Sequence, residues 1–289
     1  MDAGKIIPAE AKDGSCTMLF TLLGRHIMSS QAVLAPVIDP TVIASLFGTS
    51  QFSLALLDFV TSLHPPSSST IQPGKNSVFP DCTYESHPTL GLSLCFASGT
   101  SPSSSSRCLD AVDIFNPPLH PPPKSRSRRK AAWEGCSPPP LPIPFTFPST
   151  TITVPPFKPG EEAQVIDRLA VLEVTSGTTG REFVGAFGEP SRKGGGTGWV
   201  PVFMEWRRVE LIPASSRDGM NGIADSGKEE EKETVEVGIM VELGDQGAGV
   251  LTDEQRKNGL GGVWDQAARW EWETLKLFKP SSRPGKKDG

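Results

Sequence analysis

The chain has 289 residues, 37% of them apolar and 21% charged, enough to bury a core within one large domain or two small ones. Its net charge of -5 and pI near 5.5 exclude a general electrostatic pull toward nucleic acid or an anionic membrane surface. Pro 28, Gly 29 and long serine tracts exceed what a compact fold uses, and predict a folded body interrupted by segments without fixed structure.

Five cysteines (Cys16, Cys82, Cys95, Cys108, Cys136) are odd in number, widely spaced and lack a C-x-x-C pair, so neither a disulfide framework nor a zinc site is indicated. Reduced thiols in the cytosol or nucleus fit this usage. The start MDAGKIIPAEAKDG mixes acids with lysines and lacks the apolar run of a signal peptide. Thr41 to Leu63 is the most apolar long window, but its Ser, Thr, Gln and Asp residues argue for one or two buried helices, not a membrane span.

In chain order, residues 15 to 28 begin as a strand. Asp39-Pro40 is a helix entry, because Asp accepts from orphan amides and Pro tolerates the first helical position. Val42, Ile43, Leu46 and Phe47 follow at helical spacing, and Gly48 closes the turn. Loop residues run from Pro65 to Gly74. Leu92, Leu94 and Phe96 then alternate as a half-buried strand, and Leu109 to Phe115 is its antiparallel partner across the serine-rich connector 98–106.

Residues 117 to 148 read as a linker, with a basic run at Lys124, Arg126, Arg128, Arg129 and Lys130, then PPPLPIPFTFP in extended polyproline form. Thr150 to Val154 is strand-like. Val165 to Val174 predicts a short helix with LAVLEV, and Thr179-Gly-Arg-Glu182 is a capping box that starts a helix at Gly180. Phe183, Val184 and Phe187 give it an apolar face, and Gly188 with Pro190 ends it. The triglycine at 194–196 therefore follows a helix. A phosphate cradle needs its glycines before the helix, where free amides and the positive dipole end meet the anion, so this segment reads as a loop.

Trp199 to Ile212 predicts a strand with a bulge, and 215–233 is a polar insertion. Val235, Val237, Ile239, Val241 and Leu243 share one face of a further strand. Leu260, Val263, Trp264, Ala267 and Ala268 form a helical stripe that leads into a strand ending at Phe278. Residues 280–289 are a tail.

The two halves repeat an order of elements. IASLFG (43–48) corresponds to FVGAFG (183–188), GLSLCF (91–96) to GIMVEL (238–243), and DAVDIFNPP (110–118) to ETLKLFKPS (273–281). The fold class expected is α+β, with two similar units of short helix plus antiparallel strands, 15–116 and 149–279, joined by the linker. These runs, with "FGEP", "FMEW" and "LKLFKP", resemble the helix, (L/F)G-x-P, strand, strand repeats of the phagosome assembly factor family, and more distantly SmpA/BamE-like modules. The resemblance implies a noncatalytic scaffold or interaction role linked to autophagy or trafficking, and carries over no functional residue.

Chemistry leaves few marks. No G-x-S-x-G elbow is present, and His26, His64, His87 and His120 stand mostly beside prolines. Cys82 and His87 lack a second ligand pair, so no metal or cofactor is assigned. Glu205, Glu210, Glu242, Glu271 and Glu273 lie on strands, where burial can tune a carboxylate, but no partner singles one out. The basic run has the composition of an import signal or phosphate-contacting arm, with Ser125 and Ser127 as phosphorylation points, and PPPLPIP suits an SH3-like or WW-like groove. The reading is thus a noncatalytic cytoplasmic or nuclear protein with protein partners. The alternative is an enzyme or small-ligand binder whose pocket lies between the units near Arg192, Lys193, Trp199 and Trp206.

Overall fold

A computed structural model describes residues 35–65, 73–98, 107–119, 132–154, 160, 162–195, 201–213, 233–244 and 261–280, with side chains from 264 in the last segment. The expected strand at 15–28, the basic run, the insertion up to 232, Trp199 and the tail beyond 280 lie outside these residues.

Four helices are described: α1 (Pro40–Leu46), α2 (Leu54–Ser62), α3 (Gly180–Phe187) and α4 (Gly261–Ala267). Asp39 caps α1 by accepting from the Thr41 amide at 2.8 Å, and Ser53 accepts from Leu56 at the start of α2. At α3 the Glu182 carboxylate takes both the amide and the hydroxyl of Thr179, at 2.7 and 2.8 Å. Gly188 ends this helix at φ +81, a conformation that L side chains rarely adopt.

The described residues also form twelve strands in three sheets. They are β1 (Lys75–Val78), β2 (Cys82–His87), β3 (Leu92–Ser98), β4 (Arg107–Phe115), β5 (Ile143–Thr146), β6 (Thr151–Val154), β7 (Gln164–Asp167), β8 (Val171–Val174), β9 (Arg192–Gly194), β10 (Val202–Leu211), β11 (Val235–Leu243) and β12 (Trp272–Phe278). Eight of them make one antiparallel sheet in the order β1-β2-β3-β4-β12-β11-β10-β9, while β5-β8 and β6-β7 form separate pairs. The α+β class stands. Strands β4 and β12 meet in the middle, with Ala111 opposite Phe278 and Phe115 opposite Thr274.

Register decides what each face carries. Leu94, Val112, Leu277, Ile239 and Trp206 lie in one cross-strand row, and Leu92, Ile114, Leu275, Val241 and Met204 in the next, all buried. These rows form the floor of the core. Phe183 and Phe187 of α3 pack above it with Phe145 and Phe147, and the Phe187 ring meets Trp206 at 5.2 Å edge to face. The strands expected at 92–96, 109–115 and 235–243 are present, and the bulge expected within 199–212 falls between Trp206 and Val209.

Three expectations are corrected. The helix predicted within 165–174 is replaced by β7 and β8, because Leu172 and Val174 alternate inward and pair with β5. The linker reading fails from Trp133 onward, where Trp133, Ile143, Phe145 and Phe147 are all buried. Pro142 and Pro144 fix an extended backbone there, which turns Ile143, Phe145 and Phe147 to one side, and a two-stranded pair tolerates a proline without its N–H. Finally, Arg192–Gly194 is not loop but a short edge strand, β9.

Candidate functional site

Two concavities lie on opposite faces of the sheet. The first is a cavity of about 410 Å³ between α2 and the β1–β2 edge, walled by Phe52, Leu56, Leu57 and Val60 from the helical segment and by Leu94 from β3. Its polar end is formed by Gln51, Asn76, Glu85 and His87. The Gln51 amide donates to Glu85 Oε2 at 3.1 Å and to Asn76 Oδ1 at 3.3 Å. Imidazole Nε2 of His87 lies 3.2 Å from Glu85 Oε1, while Nδ1 is buried without a hydrogen-bond partner. The imidazole contact, opposed by burial and aided by Gln51, holds the Glu85 carboxyl below its usual range. Phe52 is 91% exposed and Leu57 58%, so the mouth of this groove is apolar and open.

The second cavity, of about 590 Å³, sits on the other face and spans β1 to β4 and β11 to β12. A polar row crosses the sheet there: Ser86, Ser93, Asp113, Lys276, Met240 and Glu205 are successive cross-strand neighbours. Lys276 Nζ lies 3.2 Å from Asp113 Oδ1. Burial raises the Asp113 carboxyl despite this ion pair; burial pulls Lys276 down, but the Asp113 carboxylate outweighs it and leaves the amine above its usual value. Glu242 lies one row along, opposite Thr274, and burial raises it as well, against a hydrogen bond from that threonine. Tyr84 is pushed up by burial, then by the neighbouring Cys95.

The cleft expected near Arg192, Lys193, Trp199 and Trp206 is not assembled by the described members. Arg192 is opposite Glu205 on the polar face, whereas Lys193 is opposite Met204 on the core face, since neighbouring strand residues point to opposite sides. Trp206 is 3% exposed and its indole N–H donates to the Gly188 carbonyl at 2.9 Å, so it is a core residue. Trp199 is outside the described residues, as is every member of the basic run.

The first amides of α3 are also occupied: Gly180 N donates to Trp270 O at 3.0 Å and Arg181 N to Ala268 O at 2.7 Å. A backbone carbonyl stands where an anion would bind. Among the described residues no three His, Cys, Asp or Glu side chains gather as a metal site, and Cys82, Cys95 and Cys108 are free thiols. No described helix is long and apolar enough to cross a membrane.

Of the five glutamates, Glu242 lines the second cavity, beside Asp113 and Lys276, which composition and spacing did not flag. The signal was present in the alternation: Glu242 interrupts Val241 and Leu243 on a buried central strand, but its neighbours come from β12 and β4. Comparison of the chain with family models, with curated proteins and with solved structures finds no match.

Proposed function

We propose that the chain is a noncatalytic interaction module of two similar α+β units, and that the groove between α2 and the β1–β2 edge receives an extended apolar peptide segment of a partner protein. The observation that carries this reading is the union of an open strand edge with an open apolar groove. Among the described residues β1 pairs with β2 alone, so its outer backbone groups are available for a further strand. Val78 is 71% exposed at the end of that edge, and Phe52 and Leu57 line the adjoining cavity. An added strand supplies backbone hydrogen bonds, while its alternate side chains enter the groove.

The opposite edge is built otherwise. Strand β9 has three residues, and its two cations are paired, Arg192 with Glu205 at 3.6 Å and Lys193 with Glu189 at 2.6 Å. Short length and paired charge discourage strand addition there.

Duplication is supported by order. Strands β1, β2, β3 and β4 are mirrored by β9, β10, β11 and β12 about the central β4–β12 pair. Helices α1 and α3 both run into Phe-Gly, and Gly48 and Gly188 share positive φ angles of 86° and 81°. A role in autophagy or trafficking rests on the resemblance of these repeats to phagosome assembly factors.

The test is selection of displayed random peptides on the full chain. Selected sequences should carry apolar side chains at alternate positions and lose at least about tenfold in affinity on Leu57→Asp or Phe52→Asp, exposed sites where the fold is retained. Peptides indifferent to both substitutions, or a selection that enriches nothing, would overturn the reading.

A further inference from the structure

We propose that the cavity on the polar face of the sheet binds a ligand bearing a cationic nitrogen, an alkylammonium or guanidinium group, with Glu242 as its anionic anchor. This site is separate from the peptide groove: Tyr84 and Ser86 of β2 face it, whereas Glu85 and His87 face the groove.

The first argument is charge. Three ionisable groups form the floor: Asp113, Glu242 and Lys276. Lys276 is committed to Asp113 at 3.2 Å, and among the described residues no cation lies at ion-pair distance from Glu242. The floor therefore holds two carboxylates against one lysine that is ion-paired to Asp113, and burial raises the Glu242 carboxyl even against the more distant charge of Lys276. A ligand cation restores the balance. A ligand anion would face two carboxylates and a lysine already neutralised.

The second argument is the wall. Phe79 and Tyr84 stand edge to face with ring centroids 5.9 Å apart, and Phe115 joins them around the cavity. Aromatic faces beside a carboxylate are the surroundings that favour an organic cation over a hydrated metal ion. The third is hydroxyl arithmetic. Ser93 is 4% exposed, and its Oγ lies 3.3 Å from Ser86 Oγ. One hydroxyl–hydroxyl bond uses only one of the two O–H donors and leaves acceptor lone pairs on both oxygens. Those lone pairs suit the several N–H donors of an ammonium or guanidinium group.

Tyr84 makes the site directly observable, because the chain contains a single tyrosine. Full-length protein carrying [13Cζ]tyrosine shows one resonance from this cavity. Titration with agmatine tests a free amine, and titration with an acetyl-Gly-Lys-Gly-amide peptide tests a side chain borne by a partner. A saturable shift with either cation is expected, with the Nε-acetylated peptide inert. Glu242→Gln should weaken binding at least about tenfold, the loss expected for a charge-assisted hydrogen bond. Phe79→Ala, at a half-exposed site off the strands, should weaken it severalfold and serves should the Glu242 variant fail to fold. Agmatine alone binding identifies a free amine, and the peptide alone a protein partner. Absence of any shift with both cations, or an equal shift with the acetylated peptide, would overturn the proposal. Neither result bears on the Leu57 and Phe52 substitutions that test the groove.

Discussion

Phe145 lies in a run of prolines that reads as linker, yet its side chain is 0% exposed and its ring meets Phe187 at 5.3 Å and 73°. Phe145→Ala separates these accounts. Removing the ring withdraws on the order of 120 Å² of apolar surface from the core, about 3 kcal/mol at roughly 25 cal/mol per Å². The space left behind adds up to about 2 kcal/mol if neighbours do not collapse into it, giving an expected loss of about 3–5 kcal/mol. Collapse is hindered here, because Phe187 is held by Phe147, Phe183 and Trp206 on its other sides. For a folded body of this size the melting temperature should fall by roughly 6–20 °C. Equilibrium urea unfolding followed by tryptophan fluorescence measures the loss, with an unchanged m-value confirming the same folded state. Leu119→Ala is the control: this residue belongs to the same proline-rich stretch but is 88% exposed, and its substitution should stay within about 0.5 kcal/mol. If Phe145→Ala costs less than about 1 kcal/mol, the assignment of β5 to the core is wrong.

Asn116 joins the centre of the sheet to the turn before α3, its amide donating to Trp272 O at 2.7 Å and Ser176 O at 2.9 Å. Asn116→Ala should cost about 2–4 kcal/mol in urea unfolding by orphaning two carbonyls. Asn116→Asp should be worse at neutral pH, where a carboxylate opposes both carbonyls, and recover partly in acid, where the protonated group donates to one. Glu182→Ala should cost about 1 kcal/mol, read by the same assay, through the lost cap on Thr179. Glu85 is depressed, so its contribution to stability is present above the usual glutamate range and lost as pH falls through its lowered folded value; His87→Leu should shrink that acid-side loss. Glu242 is raised, so its contribution is full below the usual glutamate range and lost as pH rises through its folded value; Glu242→Gln should make the protein more stable at neutral pH.

Local chemistry was legible wherever it acts within a few residues of chain. Asp39-Pro40, the Thr179–Glu182 pair and the Phe-Gly helix ends depend on backbone groups one turn away, so their positions follow from the amino-acid order. Strict alternation likewise marked Val237, Ile239, Val241 and Leu243 as one buried face, since a strand repeats every two residues wherever it is placed. Strands β1 and β2 lacked that alternation: β1 is exposed throughout, and hydrogen bonding to a sheet edge, not burial, makes it a strand. Proline content hid β5, because an extended backbone looks alike whether it is solvated or pressed against Leu172 and Val174.

Long-range pairing decided the remainder. Asp113 and Lys276 are 163 positions apart in the chain and 3.2 Å apart in space, and no local pattern ties a charge on β4 to one on β12. Arg192 and Lys193 are adjacent in sequence and therefore looked like one site, but the pleat sends them to opposite faces of the sheet. Amino-acid order by itself determined the inward face of β11 and where α1 and α3 begin and end. Only the register of β4 against β12 set which inward and outward residues meet, because cross-strand hydrogen bonds join segments whose contact energy depends on partners far away in the chain.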